Sequence, residues 1–508
     1  MTMTHVKRAT NTNRSGTTGV IRDLRINFIL KENFISETSD IMTISRRRFL
    51  GTSAAISLGF TGLGCSRSSV IATDVDPGIK FGPLQDDPNG IIALPPGFSY
   101  KIFSRAGESM SDGLLVPARH DGMAAFPGPD GITILVRNHE IGAGADAELG
   151  PFGPDLALLD LIDRDLLYDN GGGNSPALGG TTTILYDTVS QQLVSHHLSL
   201  SGTLLNCAGG PTPWGSWISC EEVVSEPENG FTRKHGYNFE ISAGQPGLQR
   251  AVPLTDMGRF KHEAVAVHPA SGIIYETEDL SDGILYRFIP HVPGELSEGG
   301  RLQALAVTDR PSLDTRNWET TNVPLNTQLE TTWVDLDDVD SPDDDLRYRG
   351  FAAGAARFAR GEGIFYGERE GKAEVYIACT NGGAARKGQI WTYRPSPFEG
   401  TDQEASSPGS LELFVEPNDG TIIENADNLC VAPWGDLIVC EDGSGDDYLL
   451  GITPDGEIYK LARDLNGTGE FAGCCFSADG STLFVNKQID GWTLAITGPW
   501  SSSSESLP

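Results

Sequence analysis

The sequence predicts an all-β protein, a six-bladed β-propeller with loop insertions. Three observations carry that prediction. A hairpin pattern recurs along the chain; 61 Gly and 30 Pro in 508 residues suit many short strands and tight turns; and amphipathic helical periodicity is scarce beyond the N-terminus. Strand-rich units repeating at irregular spacings cannot bury both faces alone, so each needs neighbours stacked against it.

The clearest copies read NCAGGPTPWGSWISCEE at 206–222, EAVAVHPASGIIYETED at 263–279 and DNLCVAPWGDLIVCED at 427–442. In each, a Pro and a Gly mark a chain reversal. Counting outward from the turn pairs Cys207 with Glu221, Glu263 with Glu278 and Asp427 with Glu441 as cross-strand neighbours. The next residue is again acidic in every copy: Glu222, Asp279 and Asp442. Partial copies are DGITILVRNHE at 130–140, AEVYIACTN at 373–381 and SADGSTLFVNK at 477–487, giving six. Outer strands follow at 283–290, 388–395 and 456–463.

In a propeller the equivalent ends of the inner hairpins meet at one mouth of the central channel, so these carboxylates converge. Like charges a few ångströms apart repel by several kcal/mol at an intermediate dielectric, and cations must neutralise them or protons must bind. Carboxylates with Asn138 and Asn428 nearby suit Ca²⁺. One thiolate among them, Cys207, suits a transition metal. The usual zinc spacings are absent: there is no His-x-x-His, Cys-x-x-Cys or HExxH. Cys220, Cys440 and Cys379 read as one repeat position holding a small core residue, and Cys430, Cys474 and Cys475 lie in apolar runs. Eight cysteines without regular spacing define no disulfide framework.

The segment RFARGEGIFYGERE at 357–370 alternates Arg360 and Glu362 onto one face. An arginine beside a metal-binding acid offers planar donors to a phosphate; an exposed salt bridge explains the segment equally well. DLDDVDSPDDDLRYRG at 335–350 lacks the mid-loop Gly and terminal Glu of an EF-hand and reads as a solvated insertion. Nothing along the chain resembles an activated Ser or Thr nucleophile.

SRRRFLGTSAAISLGFTGLGC, from Ser45, carries a twin-arginine signature followed by a weakly apolar stretch too short for an ordinary membrane span. It predicts export of the folded protein by the twin-arginine machinery to the periplasm or beyond, with Met42 as an alternative start. Lipidation at Cys65 is the less favoured outcome, and no stable membrane insertion is expected. The expected organisation is an extension and signal over 1–68, a propeller over 69–498 and a disordered Ser-rich tail over 499–508, as a monomer. The formal net charge is −32, and the leader is itself basic, so the exported part is more acidic still. Nucleic acid is excluded as a bulk electrostatic partner.

The leader, RNHE, GGTTT at 179–183, NCAGGPTPWGSWISCEE, MGRFKHEAVAVHP, YETEDLSDGILYRFIP, RGEG and DNLCVAPWGDLIVCEDG together resemble the PhoX-type alkaline phosphatases, a bacterial family of exported six-bladed propellers. The likeness runs along most of 90–490. It implies a phosphomonoesterase that uses Fe³⁺ and Ca²⁺, acts on small phosphoesters, and holds phosphate with an arginine. Residue by residue it implies metal ligands at Cys207, Glu263, Glu278, Glu362, Asp427 and Glu441, with Glu140, Glu221 and Glu222 as second choices, and catalytic roles for Arg360 and Glu362. Two other readings stay open on the residues alone: a calcium-dependent lactonase or phosphotriesterase-like propeller, which has no use for the thiol, and a non-enzymatic periplasmic binding propeller.

Overall fold

A computed structural model describes residues 80–500 apart from 174, 228–229 and 468; the expected twin-arginine leader, Cys65 and positions 501–508 of the expected tail lie outside the described residues, while Trp500 at the start of that tail is buried. After β1 (Ile92–Ala93) and β2 (Ser99–Arg105) comes a four-stranded meander, β3 (His120–Pro127), β4 (Ile132–His139), β5 (Gly179–Asp187) and β6 (Gln192–Thr203). A three-stranded sheet follows: β7 (Asn206–Pro211), β8 (Ser216–Glu221) and β9 (Asn238–Ser242). Two further meanders are β10 (His262–Val267) to β13 through β11 (Ile274–Glu278), β12 (Tyr286–Pro290) and β13 (Gly300–Val307), and then, after β14 (Gln328–Asp335) and the short helix α1 (Leu346–Ala352), β15 (Gly361–Arg369), β16 (Lys372–Cys379), β17 (Gln389–Arg394) and β18 (Ser410–Val415). Strand β14 pairs with both β13 and β18 and fuses these meanders into one nine-stranded sheet. The chain continues as β19 (Ala426–Val431), β20 (Leu437–Glu441), β21 (Tyr448–Ile452) and β22 (Ile458–Asp464), and ends as β23 (Phe471–Phe476), β24 (Thr482–Lys487) and β25 (Trp492–Thr497).

Closure joins the two ends of the chain. Strand β2 pairs with β25 and β1 with β22, so N-terminal strands complete the last two sheets. The first strands of the hairpins, β3, β7, β10, β15, β19 and β23, each neighbour the next, and β23 neighbours β3. That ring defines the propeller axis. Five hydrogen-bonded sheets result because of the β14 fusion, so the bonding pattern alone does not number the blades as six.

The inner strands are buried on both faces; all six residues of β10 and all five of β11 are buried. Blades stacked on either side explain why these strands read as continuous apolar runs rather than alternating ones. The turn signals hold as well: Gly215, Gly272, Gly435 and Gly480 occupy equivalent hairpin turns with φ of 87°, 72°, 95° and 70°, a region open to glycine without a Cβ penalty. At the closure Trp434 stacks on Trp500 with centroids 5.5 Å apart, and Phe81 and Phe98 pack edge-on around them.

The register departs from the sequence expectation in one repeated respect. Every inner strand is bulged near its start: pairing slips between His120 and Met123, Asn206 and Gly209, His262 and Val265, Gly361 and Ile364, Ala426 and Leu429, and Ala472 and Cys475. A bulge inserts one residue and re-aims its side chain. The residues opposite Glu221, Glu278 and Glu441 are therefore Asn206, His262 and Ala426, one place short of the pairing expected. The same register sets Cys379 opposite Gly361, making it the counterpart of Glu278 and not of Cys220 and Cys440.

Candidate metal centre

The second residue of five inner strands falls at the bulge, and in the last, β23, it pairs with Asn486 just ahead of the bulge. Around the ring these are Asp121, Cys207, Glu263, Glu362, Asp427 and, in the last hairpin, Ala472. The residues that follow are small in five of the six strands, Gly122, Ala208, Ala264, Gly363 and Gly473, because adjacent bulges nearly touch there, and the sixth, Asn428, accepts from the Gly473 amide of the next bulge at 2.6 Å. A Cβ on Gly363 would come within 2.6 Å of the Asp427 carbonyl oxygen, and one on Gly122 within 2.6 Å of the Ala208 Cα.

Side chains from one blade hold the bulge of the next. Asn138 donates to the carbonyls of Cys207 (3.2 Å) and Ala208 (2.7 Å) while its Oδ1 accepts from Trp217 and Ser219 (2.8 and 2.9 Å). Thr277 donates to the Glu362 carbonyl and Asn486 to the Asp121 carbonyl, both at 2.6 Å. Cys220 and Cys440 fill the same repeat position in other blades, consistent with buried core residues. The polar staples thus fix backbones whose side chains form the cluster.

Two groups of ligand atoms result. Oxygens of Glu140 and Glu222 and the Cys207 sulfur lie within 4.8 Å of one another, and oxygens of Glu263, Glu362 and Asp427 do the same. The Cys207 thiol donates to Glu263 Oε1 at 3.2 Å and so links the groups. Gln488 donates to both Asp121 Oδ2 (2.9 Å) and Glu140 Oε2 (2.8 Å). Three cations among the described residues face the cluster: Arg360, Lys261 and Arg119, whose charge draws the Glu140 carboxyl down against its burial. Arg360, in a left-handed conformation (φ 56°) just ahead of β15, grips Asp279 through Nε and Nη2 (2.7 and 2.8 Å) and meets Glu362 at 3.0 Å. Lys261 pairs with Glu222 at 2.8 Å.

These three cations do not balance the acids. Burial and neighbouring carboxylates push Asp121, Glu263 and Glu362 well above the usual carboxylate range; burial first, then Asp442, takes Asp427 to about 8. Glu140 and Glu222 rise to about 7, mainly by burial. Burial with four nearby carboxylates raises the Cys207 thiol too. Asp279 is the exception, held down against its own burial by the Arg360 guanidinium. Asp121 Oδ1 and Glu263 Oε2 are buried and without a hydrogen-bond partner. Unmatched buried oxygens beside a thiol and further carboxylates fit cations, hard ones for the oxygen groups and a thiophilic one near Cys207.

Of the residues predicted from sequence, the structure brings together Cys207, Glu263, Glu362, Asp427, Glu140, Glu222 and Arg360. It places Glu221, Glu278 and Glu441 elsewhere. Glu221 accepts from the backbone of Leu204, Gly236 and Tyr237 and from His235; Glu278 from Ile284 N and Tyr286 OH; Glu441 from Glu424 N and Tyr448 N. The bulge on the facing strand puts these acids out of register with the ring, and they latch the loop that leaves each hairpin. Asp121 and Lys261 went unrecognised. The string HDG at 120–122 matches HEA at 262–264 in its His-acid-small order and would have found Asp121.

A family model described as alkaline phosphatase PhoX matches residues 79–185 and 176–491. Among solved structures, Pseudomonas fluorescens PhoX in complex with vanadate, a transition state analogue, superposes with a TM-score of 0.60 at 18% identity, covering 83% of this chain and 98% of that one. A gluconolactonase from Xanthomonas campestris gives 0.37 at 10% identity over 80% of this chain and 98% of that one, too distant to bear on the fold. No curated protein matches. The PhoX structure shares the propeller architecture, and since the family model spans most of the described residues, the chain belongs to the PhoX alkaline phosphatase family, whose activity is that of a phosphoesterase.

Proposed function

We propose that the chain is an exported phosphomonoesterase that holds Ca²⁺ and Fe³⁺ at the propeller mouth and releases phosphate from small organic phosphoesters. The observation that carries this reading is the ring of Asp121, Cys207, Glu263, Glu362 and Asp427, four acids and a thiol on bulges, with a buried oxygen of Asp121 and one of Glu263 left unpartnered and Arg360 paired to Glu362. A calcium-only lactonase has no use for the thiol, and a structural calcium site has no use for the arginine.

Glu263, Glu362 and Asp427 would hold hard cations; Cys207, with Glu140 and Glu222, would hold the thiophilic one. When bound, these ions supply Lewis-acid polarisation and charge neutralisation. The chain's own part is to bind and orient. Asp279 locks the Arg360 fork, and Nη1 of that fork carries no hydrogen bond among the described residues, so it is free to take a phosphoryl oxygen. Glu362, touching both Arg360 and Thr380 (2.7 Å), fixes the fork against the cluster. Lys261 adds a second positive charge 3.9 Å from Asp279 Oδ2, the oxygen that Arg360 Nη2 also meets. Together the two cations favour a doubly charged monoester over a singly charged diester.

Elemental analysis of protein folded in its native host, with phosphate release measured on the same sample, tests the reading. Calcium and iron with alkaline monoester hydrolysis are expected; protein that carries calcium alone and releases no phosphate overturns it. Replacing Arg46 and Arg47 by Lys is expected to retain the precursor in the cytoplasm, and normal delivery of that variant removes the export claim.

A further inference from the structure

Three loops leave the sheets at the end where the ring lies: the one after β4, the one between β6 and β7, and the one after β8. Between them is a cavity of about 280 Å³ lined by Gly142, Ala145, Ala147, Ala177, Leu178, Leu204 and Phe231 among others. Backbone hydrogen bonds fix it to the cluster. Glu222 N donates to Leu205 O, Leu205 N to Ile141 O, and Ile141 N to His139 O. The cavity wall therefore stands two residues from Glu140, at Gly142, and one residue from the Leu205 that anchors Glu222.

The lining has no charged side chain, although the chain carries a net −32 and the neighbouring mouth is crowded with acids. It is built mostly from Ala, Leu, Gly, Pro and Phe, with Ser175 as its one polar side chain. A sugar or glycerol group would lose water there and find a single side-chain hydroxyl, that of Ser175, for its several hydroxyls, whereas an apolar group gains from burial in proportion to its area. Benzene fills an engineered cavity of about 150 Å³ in another protein, so this one accommodates a single ring with its linking methylenes.

Resting on the phosphomonoesterase reading, we propose that this cavity is the subsite for the alcohol portion of the substrate, and that it selects aryl-alkyl or branched-alkyl phosphomonoesters over polyol and sugar phosphates. The ester oxygen would sit at the mouth beside Glu140 and Glu222, with the apolar group turned into the cavity.

The test compares hydrolysis of 2-phenylethyl, ethyl and glycerol phosphates by metal-replete enzyme; these share an alkoxide leaving group, so chemistry differs little and binding decides. The expected kcat/KM for the phenylethyl ester exceeds that for the ethyl ester about tenfold or more, with glycerol phosphate no better than ethyl. Ala147→Trp and Ala145→Trp, both at half-buried lining positions, are expected to abolish that preference while leaving ethyl phosphate turnover within about twofold. Calorimetry with 2-phenylethylphosphonate and ethylphosphonate reads the same preference without turnover. Equal kcat/KM for the three esters in the wild type, or a uniform loss for all three in both variants, overturns the subsite. Failure to hydrolyse any of them overturns instead the phosphatase reading on which it rests; retained phosphonate preference in that case still supports the cavity as an apolar subsite.

Discussion

Two sets of buried carboxylates in this protein are built on opposite plans. In the outer sheet joining β12 to β18, Glu399 accepts from Arg287 (2.7 Å), Tyr275 (3.1 Å), Tyr393 (2.9 Å) and the Ser396 amide (2.8 Å), while Glu404 grips the same Arg287 through two bonds of 2.5 and 2.8 Å. The guanidinium also lies 4.4 Å over the Trp333 ring. At the mouth, Asp121 and Glu263 each keep a buried oxygen with no partner, and Arg360, Arg119 and Lys261 face more acids than they can balance. Burial is common to both sets, so burial marks neither as functional. Compensation separates them: the outer network is closed by the fold itself, and the mouth is closed only by something the chain does not supply.

The sharpest way to break this comparison is at the thiol. Cys207→Ser replaces a soft ligand with a harder, far less acidic hydroxyl. It is expected to release the transition metal and lower phosphate release about 1000-fold, some 4 kcal/mol of barrier, with the fold intact. Cys220→Ser, at a fully buried position in the same hairpin, should instead cost about 1–3 kcal/mol of stability and keep its metal. Metal content by elemental analysis and unfolding by denaturant read the two effects separately. Full metal and turnover in Cys207→Ser would make the thiol structural and remove the iron assignment.

Next in size is a contrast of sign. In metal-stripped protein Glu263→Gln relieves repulsion at the mouth and is expected to stabilise the fold, whereas Glu399→Gln takes a carboxylate from a paired Arg287 and is expected to cost about 3 kcal/mol. Reloading Ca²⁺ should reverse the order for Glu263→Gln, since binding to the native state is what stabilises the wild type there. Denaturant midpoints with and without metal measure all of this. Loss of stability in stripped Glu263→Gln would show that the mouth is compensated internally after all.

The hairpins and the acids were legible in the sequence because turn glycines and strand ends leave fixed local marks: Gly215, Gly272 and Gly435 place three turns, and the acids follow at constant distance. The register was not legible. A bulge leaves no compositional trace beyond a small residue such as Ala208 or Ala264, yet it moves Cys207, Glu263 and Asp427 off the cross-strand partners that counting gives them. Alternation then sends the first acid of each pair, Glu221, Glu278 or Glu441, to the loop backbone and leaves Glu222 in the cluster. Asp121 escaped because the copy read at 130–140 starts at the turn and leaves out the first strand that carries it, and Lys261 because its partner Glu222 lies 39 positions away in the chain and is joined to it only by the stacking of blades.

The smallest expected effect concerns the staples, and it asks whether the open plan of the mouth is actively held open. Thr277 gives its hydroxyl proton to the Glu362 carbonyl at 2.6 Å and accepts from the Ala264 amide at 3.0 Å, so one side chain ties two bulges of adjacent blades. Thr277→Val keeps the shape and removes both bonds. Thr331 on β14 is a matched control, buried like Thr277 but with an Oγ1 that has no partner; Thr331→Val should be neutral or slightly stabilising, because it removes a desolvated hydroxyl at no cost in bonds. Thr277→Val is expected to lose about 1 kcal/mol of stability and, unlike a simple core defect, to weaken calcium binding several-fold in chelator competition, since Glu362 would no longer be held at its bulge. If calcium affinity is unchanged while stability falls, Thr277 serves the fold alone, and the geometry of the ring is set by the bulges without help from the neighbouring blade.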